Sequence, residues 1–250
     1  MDQNSINTME LKGVSIIFEN EDLIAVNKFA GMLTIPDRHD ETQLSLYKIL
    51  SKKYGKVFIV HRLDRDTSGL VLFAKHEASH KYLSQLFEKR NIEKIYLGII
   101  IGSLQHETGS INEPIADHPF HKGIMTINKK GKPSLTEYKM LEDYGIYSAV
   151  QFNIHSGRTH QIRVHMKFAG HPIACDTSYG DGKPVLLSSF KKKYRLSKDE
   201  EKERPILNRL ALHSYQLNFK DGHGNRYLLE APLPKDMKAL LQQLKKHRPS

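Results

Sequence analysis

Two short apolar runs, Val57-Phe58-Ile59-Val60 and Leu70-Val71-Leu72-Phe73-Ala74, enclose the most polar stretch of this part of the chain, His61-Arg62-Leu63-Asp64-Arg65-Asp66-Thr67-Ser68-Gly69. Apolar runs of this length, bounded by polar and turn residues, read as buried strands. A polar segment held between them sits on a rigid scaffold, where catalytic groups are usually mounted. Turn chemistry alone accounts for Asp66-Thr67-Ser68-Gly69, because Asp, Thr and Ser bond their own backbone and Gly accepts positive φ. It gives no reason for the histidine, the two arginines and the second carboxylate.

The whole string matches the pattern H-R-L-D-x-x-T-S-G and so resembles the signature of the RluA-type pseudouridine synthases at every fixed position. Further matches follow in that family's order. Phe18 to Lys28 is similar to its opening strand pair, and Lys28-Phe29-Ala30-Gly31 to its Lys-Pro-x-Gly, with the proline missing. Lys94-Ile95-Tyr96-Leu97 resembles its Lys-x-Tyr motif, and Gly131-Lys132-Pro133-Ser134-Leu135-Thr136-Glu137-Tyr138 its next element. Gly157-Arg158-Thr159-His160-Gln161-Ile162-Arg163-Val164-His165 is the second strong match. Gly170 to Asp176 continues it, with Cys175 where the family usually has Gly, as does Tyr179-Gly180. Leu210-Ala211-Leu212-His213 resembles the last motif.

The resemblance implies isomerisation of uridine to pseudouridine within RNA. A glycosidic N–C bond breaks, the uracil turns, and a C–C bond forms. Nothing is hydrolysed or oxidised, so no metal and no other cofactor is expected; the chain also lacks a P-loop, G-x-G-x-x-G, a CxxC pair and H-E-x-x-H. Asp64 matches the essential aspartate, and covalent attack and abstraction of a sugar proton both remain open for it. Arg163 matches the arginine that pairs with that aspartate and keeps it ionised. Tyr96 matches the active-site tyrosine, placed to stack on the uracil. Taken alone, Arg163 would read as a surface arginine on an amphipathic helix, and Tyr96 as core packing. A uridine in structured RNA must leave its stack to react. Arg62 is the candidate wedge for the vacated space, with a plain phosphate contact as the alternative. Lys28, Arg158 and His160 complete the expected RNA contacts, while His61 and Thr67 brace the loop.

Charge agrees with a polyanionic partner. The net charge is +10, and a basic surface draws nucleic acid through phosphate contacts. Solvated surface lysines are the plain alternative, since much of the excess lies in Lys191-Lys192-Lys193-Tyr194-Arg195 and Lys245-Lys246-His247-Arg248. The expected partner is ribosomal or transfer RNA, with no DNA, no membrane and a monomeric state. No apolar run approaches the ~20 residues needed to span a bilayer. Met1 to Asn7 lacks an apolar segment of the secretory kind. The single cysteine suits a reducing compartment, so a cytoplasmic location is expected.

Other constellations are weaker. His155, His160 and His165 are spaced by five, which does not place metal ligands on one helical face. Asp64 with Asp66 is a poor glycosidase pair in a loop. Cys175 with His171 lacks a nucleophile–base context and reads as a small buried thiol. A catalytically silent RNA binder would be favoured had Asp64, Tyr96 or Arg163 been missing. A basic hydrolase would need a nucleophile–base motif that is absent.

Helices are expected over Gln43–Tyr54, Glu77–Arg90, Thr159–Phe168 and Pro234–Lys246, from apolar residues at helical spacing. Strands are expected over Lys94–Ile101, Thr136–Met140 and Tyr147–Ile154, with a closing hairpin from Leu210–Phe219 and Arg226–Leu229. Lys183–Pro205 reads as a charged loop insertion carrying at most a short helix. Without a regular βαβ rhythm, the expected class is α+β, a pseudouridine-synthase-like mixed, mainly antiparallel sheet flanked by helices and loops. The expected organisation is an N-terminal tail, 1–13, and one catalytic domain, 14–250. A separate N-terminal RNA-binding domain is not expected, because the first motif begins near Val14.

Overall fold

The structure is a computed structural model that describes residues 14–37, 40, 42–196, 202–222 and 224–248. The expected 1–13 tail, with its Met1–Asn7 stretch, lies outside the described residues. In chain order the elements are β1 (Val14–Glu19), β2 (Leu23–Lys28), α1 (Leu46–Tyr54), β3 (Phe58–Ile59), β4 (Ser68–Ala74), α2 (Glu77–Glu88), β5 (Ile92–Ile101) and β6 (Thr108–Asn112). There follow β7 (Ile115–Asp117), β8 (Met125–Ile127), β9 (Leu135–Asp143), β10 (Tyr147–Ile154), α3 (Gln161–Phe168), a 3-10 turn at Leu187–Ser189, β11 (Leu212–Lys220), β12 (Arg226–Glu230) and α4 (Lys235–Lys246). The chain divides into two compact units, Met1–Ile95 with His213–Pro232, and Tyr96–Leu212 with Leu233–Ser250.

The first unit is a sheet in the order β1-β2-β4-β11, with β3 on β4 and β12 on β11. Pairs β1–β2, β2–β4, β3–β4 and β11–β12 are antiparallel, while β4 and β11 run parallel with Ser68 opposite His213. Every residue of β4 is buried, as expected of a continuous apolar run covered on both faces. Leu70, Leu72 and Ala74 join Leu83 of α2, Phe219 and Leu229 in one core cluster. The expected Gln43 start of α1 is three residues early. Asp40 holds the Thr42 amide (3.0 Å) and the Gln43 side chain (3.0 Å) in a turn, and Ser45 caps the helix by accepting from the Lys48 amide.

In the second unit the part of β5 from Tyr96 onward neighbours β10, followed by β9 and β6. β10–β9 and β9–β6 are antiparallel, and β7–β8 is a separate antiparallel hairpin. The core gathers Ile99, Val150, Phe152, Met166, Leu240 and Leu244. Met237, Leu240 and Leu244 form the apolar stripe of α4, whose first turn is tied down by Arg209, bonded twice to Asp236 (2.7 and 2.6 Å). The expected α+β class and mainly antiparallel mixed sheet hold. β6, β7 and β8 escape sequence reading because they are short and carry little apolar periodicity. Of the charged 183–205 insertion, only Leu187–Ser189 takes a helical turn; residues 197–201 lie outside the described residues.

Candidate functional site

In the first unit, the Asp64 loop is held from the 28–34 segment. Thr34 Oγ1, buried, accepts from the Leu63 amide (3.2 Å) and donates to the Leu63 carbonyl (3.0 Å). On the other side of Asp64, the Arg65 carbonyl accepts from Lys28 Nζ (2.9 Å) and from the Gly31 amide (2.9 Å). The Thr67 amide donates to the Asp64 carbonyl (3.2 Å), closing a turn. Asp64 is half-buried, while Arg62, Arg65 and Asp66 are exposed.

His61 stacks on Phe87 with ring centroids 4.5 Å apart and accepts the Leu72 amide at Nε2 (3.0 Å). Burial, with the nearby Lys94 charge, pushes His61 down to about 3, so it stays neutral and keeps its acceptor. Lys94 itself is buried and lowered to about 8 by desolvation and by Arg90. The expected bracing by Thr67 comes from its backbone; its buried hydroxyl has no hydrogen-bond partner among the described residues. Ser68 meets His213 Nδ1 (2.9 Å), whose Nε2 meets the Ala231 carbonyl (3.1 Å). A carbonyl can only accept, so Nε2 carries the proton and, in the neutral ring, Nδ1 accepts from Ser68. Gly69, at φ 114, lies where a Cβ would strike the Ser214 backbone. The Ser-Gly of the signature is therefore the seat of β11.

In the second unit, α3 buries all of Gln161 to Met166. Arg163 is buried, not on a solvent face, and grips Asp176 with two bonds, Nε to Oδ2 (2.8 Å) and Nη2 to Oδ1 (2.9 Å). Asp176 Oδ1 also accepts the amides of Ser178 (2.9 Å) and Tyr179 (3.0 Å). The guanidinium lies 4.9 Å from the Tyr179 ring centroid. The Tyr179 hydroxyl accepts the Met125 amide (2.7 Å) and meets His160 Nδ1 (2.8 Å). Bidentate pairing and stacking together leave the arginine one orientation.

Gln161 and His165 of the same motif are structural. Gln161 accepts from Ser156 Oγ (2.7 Å) and the Arg158 amide (3.2 Å), and donates to Leu135 O (2.9 Å) and Thr136 Oγ1 (3.0 Å). His165, fully buried, spans Thr136 Oγ1 (2.8 Å) and Glu113 O (3.0 Å). Tyr96 is half-buried against the second unit's core. Arg158 is half-buried with its Nε lacking a hydrogen-bond partner among the described residues.

Residues 22–168 match the sequence pattern of the RNA pseudouridylate synthase family. The chain belongs to that family. The chain is 34% identical over 240 residues to "Ribosomal large subunit pseudouridine synthase D" of Nitrosomonas europaea, covering 93% of this chain and 65% of the relative. It is 30% identical to "Uncharacterized RNA pseudouridine synthase YlyB" of Bacillus subtilis, over 94% of this chain and 74% of the relative. Its fold is that of "Human RNA Pseudouridylate Synthase Domain Containing 4", at a TM-score of 0.72 and 23% identity, covering 92% of each chain. The chain thus spans just under two thirds of the Nitrosomonas relative's length, 65%.

One expected RNA contact needs correction. Lys28 is fully buried, and its ammonium donates to the carbonyls of Phe29 (3.1 Å), Met32 (2.8 Å) and Arg65 (2.9 Å). It organises the Asp64 loop and presents nothing to a phosphate. Arg62, Arg158 and His160 keep some exposure; His160 opens α3 at φ 55 with Nδ1 committed to Tyr179. Sequence reading missed Thr34 and Asp176 as the groups that hold Leu63 and Arg163. The Asp176 signal was present in Gly170-His171-Pro172-Ile173-Ala174-Cys175-Asp176; Thr34 sits among ordinary loop residues and gave none.

Proposed function

We propose that the protein isomerises specific uridines of RNA to pseudouridine, with ribosomal RNA the substrate favoured by the Nitrosomonas relative's name and transfer RNA the alternative. The observation that carries this reading is the family match together with a half-buried Asp64 whose backbone neighbours are pinned on both sides. Such anchoring supplies the positioning that an enzyme group needs before reaction. Asp64 acts as nucleophile toward the sugar or as base on a sugar proton. Tyr96 stacks on the uracil, and Arg163 supplies a fixed positive charge. Arg62, exposed beside Asp64, enters the space left by the flipped uridine, and Arg158 and His160 touch the RNA. The protein works as a cytoplasmic monomer on RNA rather than DNA; no helix among the described residues is long and apolar enough to cross a membrane.

The test is pseudouridine mapping. Unmodified ribosomal and transfer RNA transcripts are incubated with the protein, and carbodiimide-dependent reverse-transcription stops are located. Stops made by the wild type and lost in Asp64→Asn, with RNA affinity kept, support the reading. Stops that survive in Asp64→Asn overturn the role of Asp64, and their absence with wild type overturns the activity.

A further inference from the structure

The β7–β8 hairpin exposes its one aromatic residue almost completely. Phe120, at its tip, is 86% exposed, more than any other large apolar residue described. The tip is a built turn. The His118 amide donates to Ile124 O (2.8 Å), and His118 Nδ1 accepts from the amides of Phe120 and His121 (both 3.2 Å). The hairpin's inner side is anchored, since Ile124, Met125 and Ile127 pack on Ile115, Val164 and Tyr179. The ring therefore projects from an ordered frame and is not folded inward. The His118 ring lies edge-on to it at 6.2 Å, and His121 and Lys122 follow it in the chain, a polar and basic setting that disfavours an apolar protein partner and favours a base carrying its own phosphates.

At the hairpin's root lies a cleft of about 390 Å³ whose wall includes Lys130, Lys132, Arg158 and Thr159, with Asp117 its one lining carboxylate. The lysines are held in place by the backbone. Lys132 pairs with Ile115 in both directions (2.8 and 3.0 Å), and Gly131 lies so close that a Cβ would sit 2.6 Å from the Ile115 carbonyl carbon. Arg158 lines this cleft as a third cation, with its Nε buried and without a hydrogen-bond partner among the described residues.

We infer that this hairpin is a second grip for single-stranded RNA: Phe120 stacks on an unpaired base, and the Lys130–Lys132–Arg158 cleft takes a backbone phosphate of the same strand. Unpaired RNA is commonly held this way, by aromatic stacking combined with a cationic groove. The inference rests on the reading of RNA as substrate and adds Phe120, Lys130 and Lys132, which that reading does not use.

The chain contains no tryptophan, so Phe120→Trp provides a single fluorescent reporter at the tip. Titration with a labelled twelve-nucleotide oligouridylate should quench its emission as anisotropy reports binding. Phe120→Ala should weaken that binding by about tenfold, the usual cost of removing one base stack. Lys130→Ser with Lys132→Ser should reduce the slope of log affinity against log salt by about 0.7 for each phosphate no longer neutralised. Unquenched tryptophan with binding intact, unchanged affinity in Phe120→Ala, or no binding by the wild type each overturns the inference. Unchanged RNA affinity in both the alanine and the serine variants would give the tip to a protein partner. Pseudouridine mapping on the same preparations separates the two claims. Wild type that modifies RNA, with hairpin variants indistinguishable from it, removes the inference alone; wild type that modifies none removes the enzymatic reading, while the quench still reports on the grip.

Discussion

The Thr34 hydroxyl bonds both the amide and the carbonyl of Leu63, so one buried side chain sets the peptide groups immediately before Asp64. Thr34→Val keeps the shape and removes both bonds. Leaving buried peptide groups unpaired costs about 1–3 kcal/mol each. With two groups left unpaired, stability should therefore fall by about 2–6 kcal/mol in urea titration, and turnover should fall more than substrate affinity. A variant with wild-type turnover would show that Asp64 does not depend on this anchor.

Arg163 and Asp176 are a buried, two-point ion pair. Asp176→Asn removes a buried carboxylate charge from the Arg163 guanidinium, and breaking a buried ion pair of this kind costs about 3–5 kcal/mol. For a chain of this size that lowers the melting temperature by on the order of 10 °C. Arg163→Lys keeps the charge but not the fork or the stack on Tyr179, so it should retain more stability than Asp176→Asn while still losing turnover. Calorimetry alongside the mapping assay checks both.

Cys175 stands at φ 59, a left-handed conformation that costs an L-residue about 1–2 kcal/mol. That explains glycine as the family's usual residue there. Its thiol is buried, meets Leu207 O at 3.5 Å, and is raised to about 11 by burial. Cys175→Ala keeps the strain and loses the thiol, whereas Cys175→Gly loses both. The glycine variant should be the more stable of the two by about 1 kcal/mol. Equal denaturation midpoints would refute a strain account.

His61 ties stability to acid. Its folded value of about 3 lies below the ordinary 6.5, so between these values the unfolded chain binds more protons than the folded one. Stability therefore rises with pH across this window and is lost as pH falls through it. His61→Gln keeps an acceptor for the Leu72 amide and does not titrate, so its stability curve should be flatter from pH 6.5 downward. An unchanged acid limb would place the proton uptake elsewhere.

Much of the fold was legible because it rests on local pattern. The apolar run of β4, the spacing of α2 and α4, and the hairpin around Asp221 each carry their own period. The start of α1 was not, since it depends on the side chain of Asp40 competing for backbone donors. Phe120 and the β7–β8 hairpin also escaped notice, because strands of three residues have no periodicity to read.

The sequence alone determined the family and the identity of the candidate chemical groups, because ordered motifs constrain residue type at Asp64, Tyr96 and Arg163. Tertiary structure alone decided which letters of those motifs face solvent and which hold the frame. Lys28 looks like an RNA contact until three carbonyls converge on its ammonium. Gln161 and His165 look as polar as Arg163 until Thr136 and Glu113 saturate them. A polar side chain's role depends on whether partners distant in the chain satisfy its hydrogen bonds, and only the folded backbone brings those partners near.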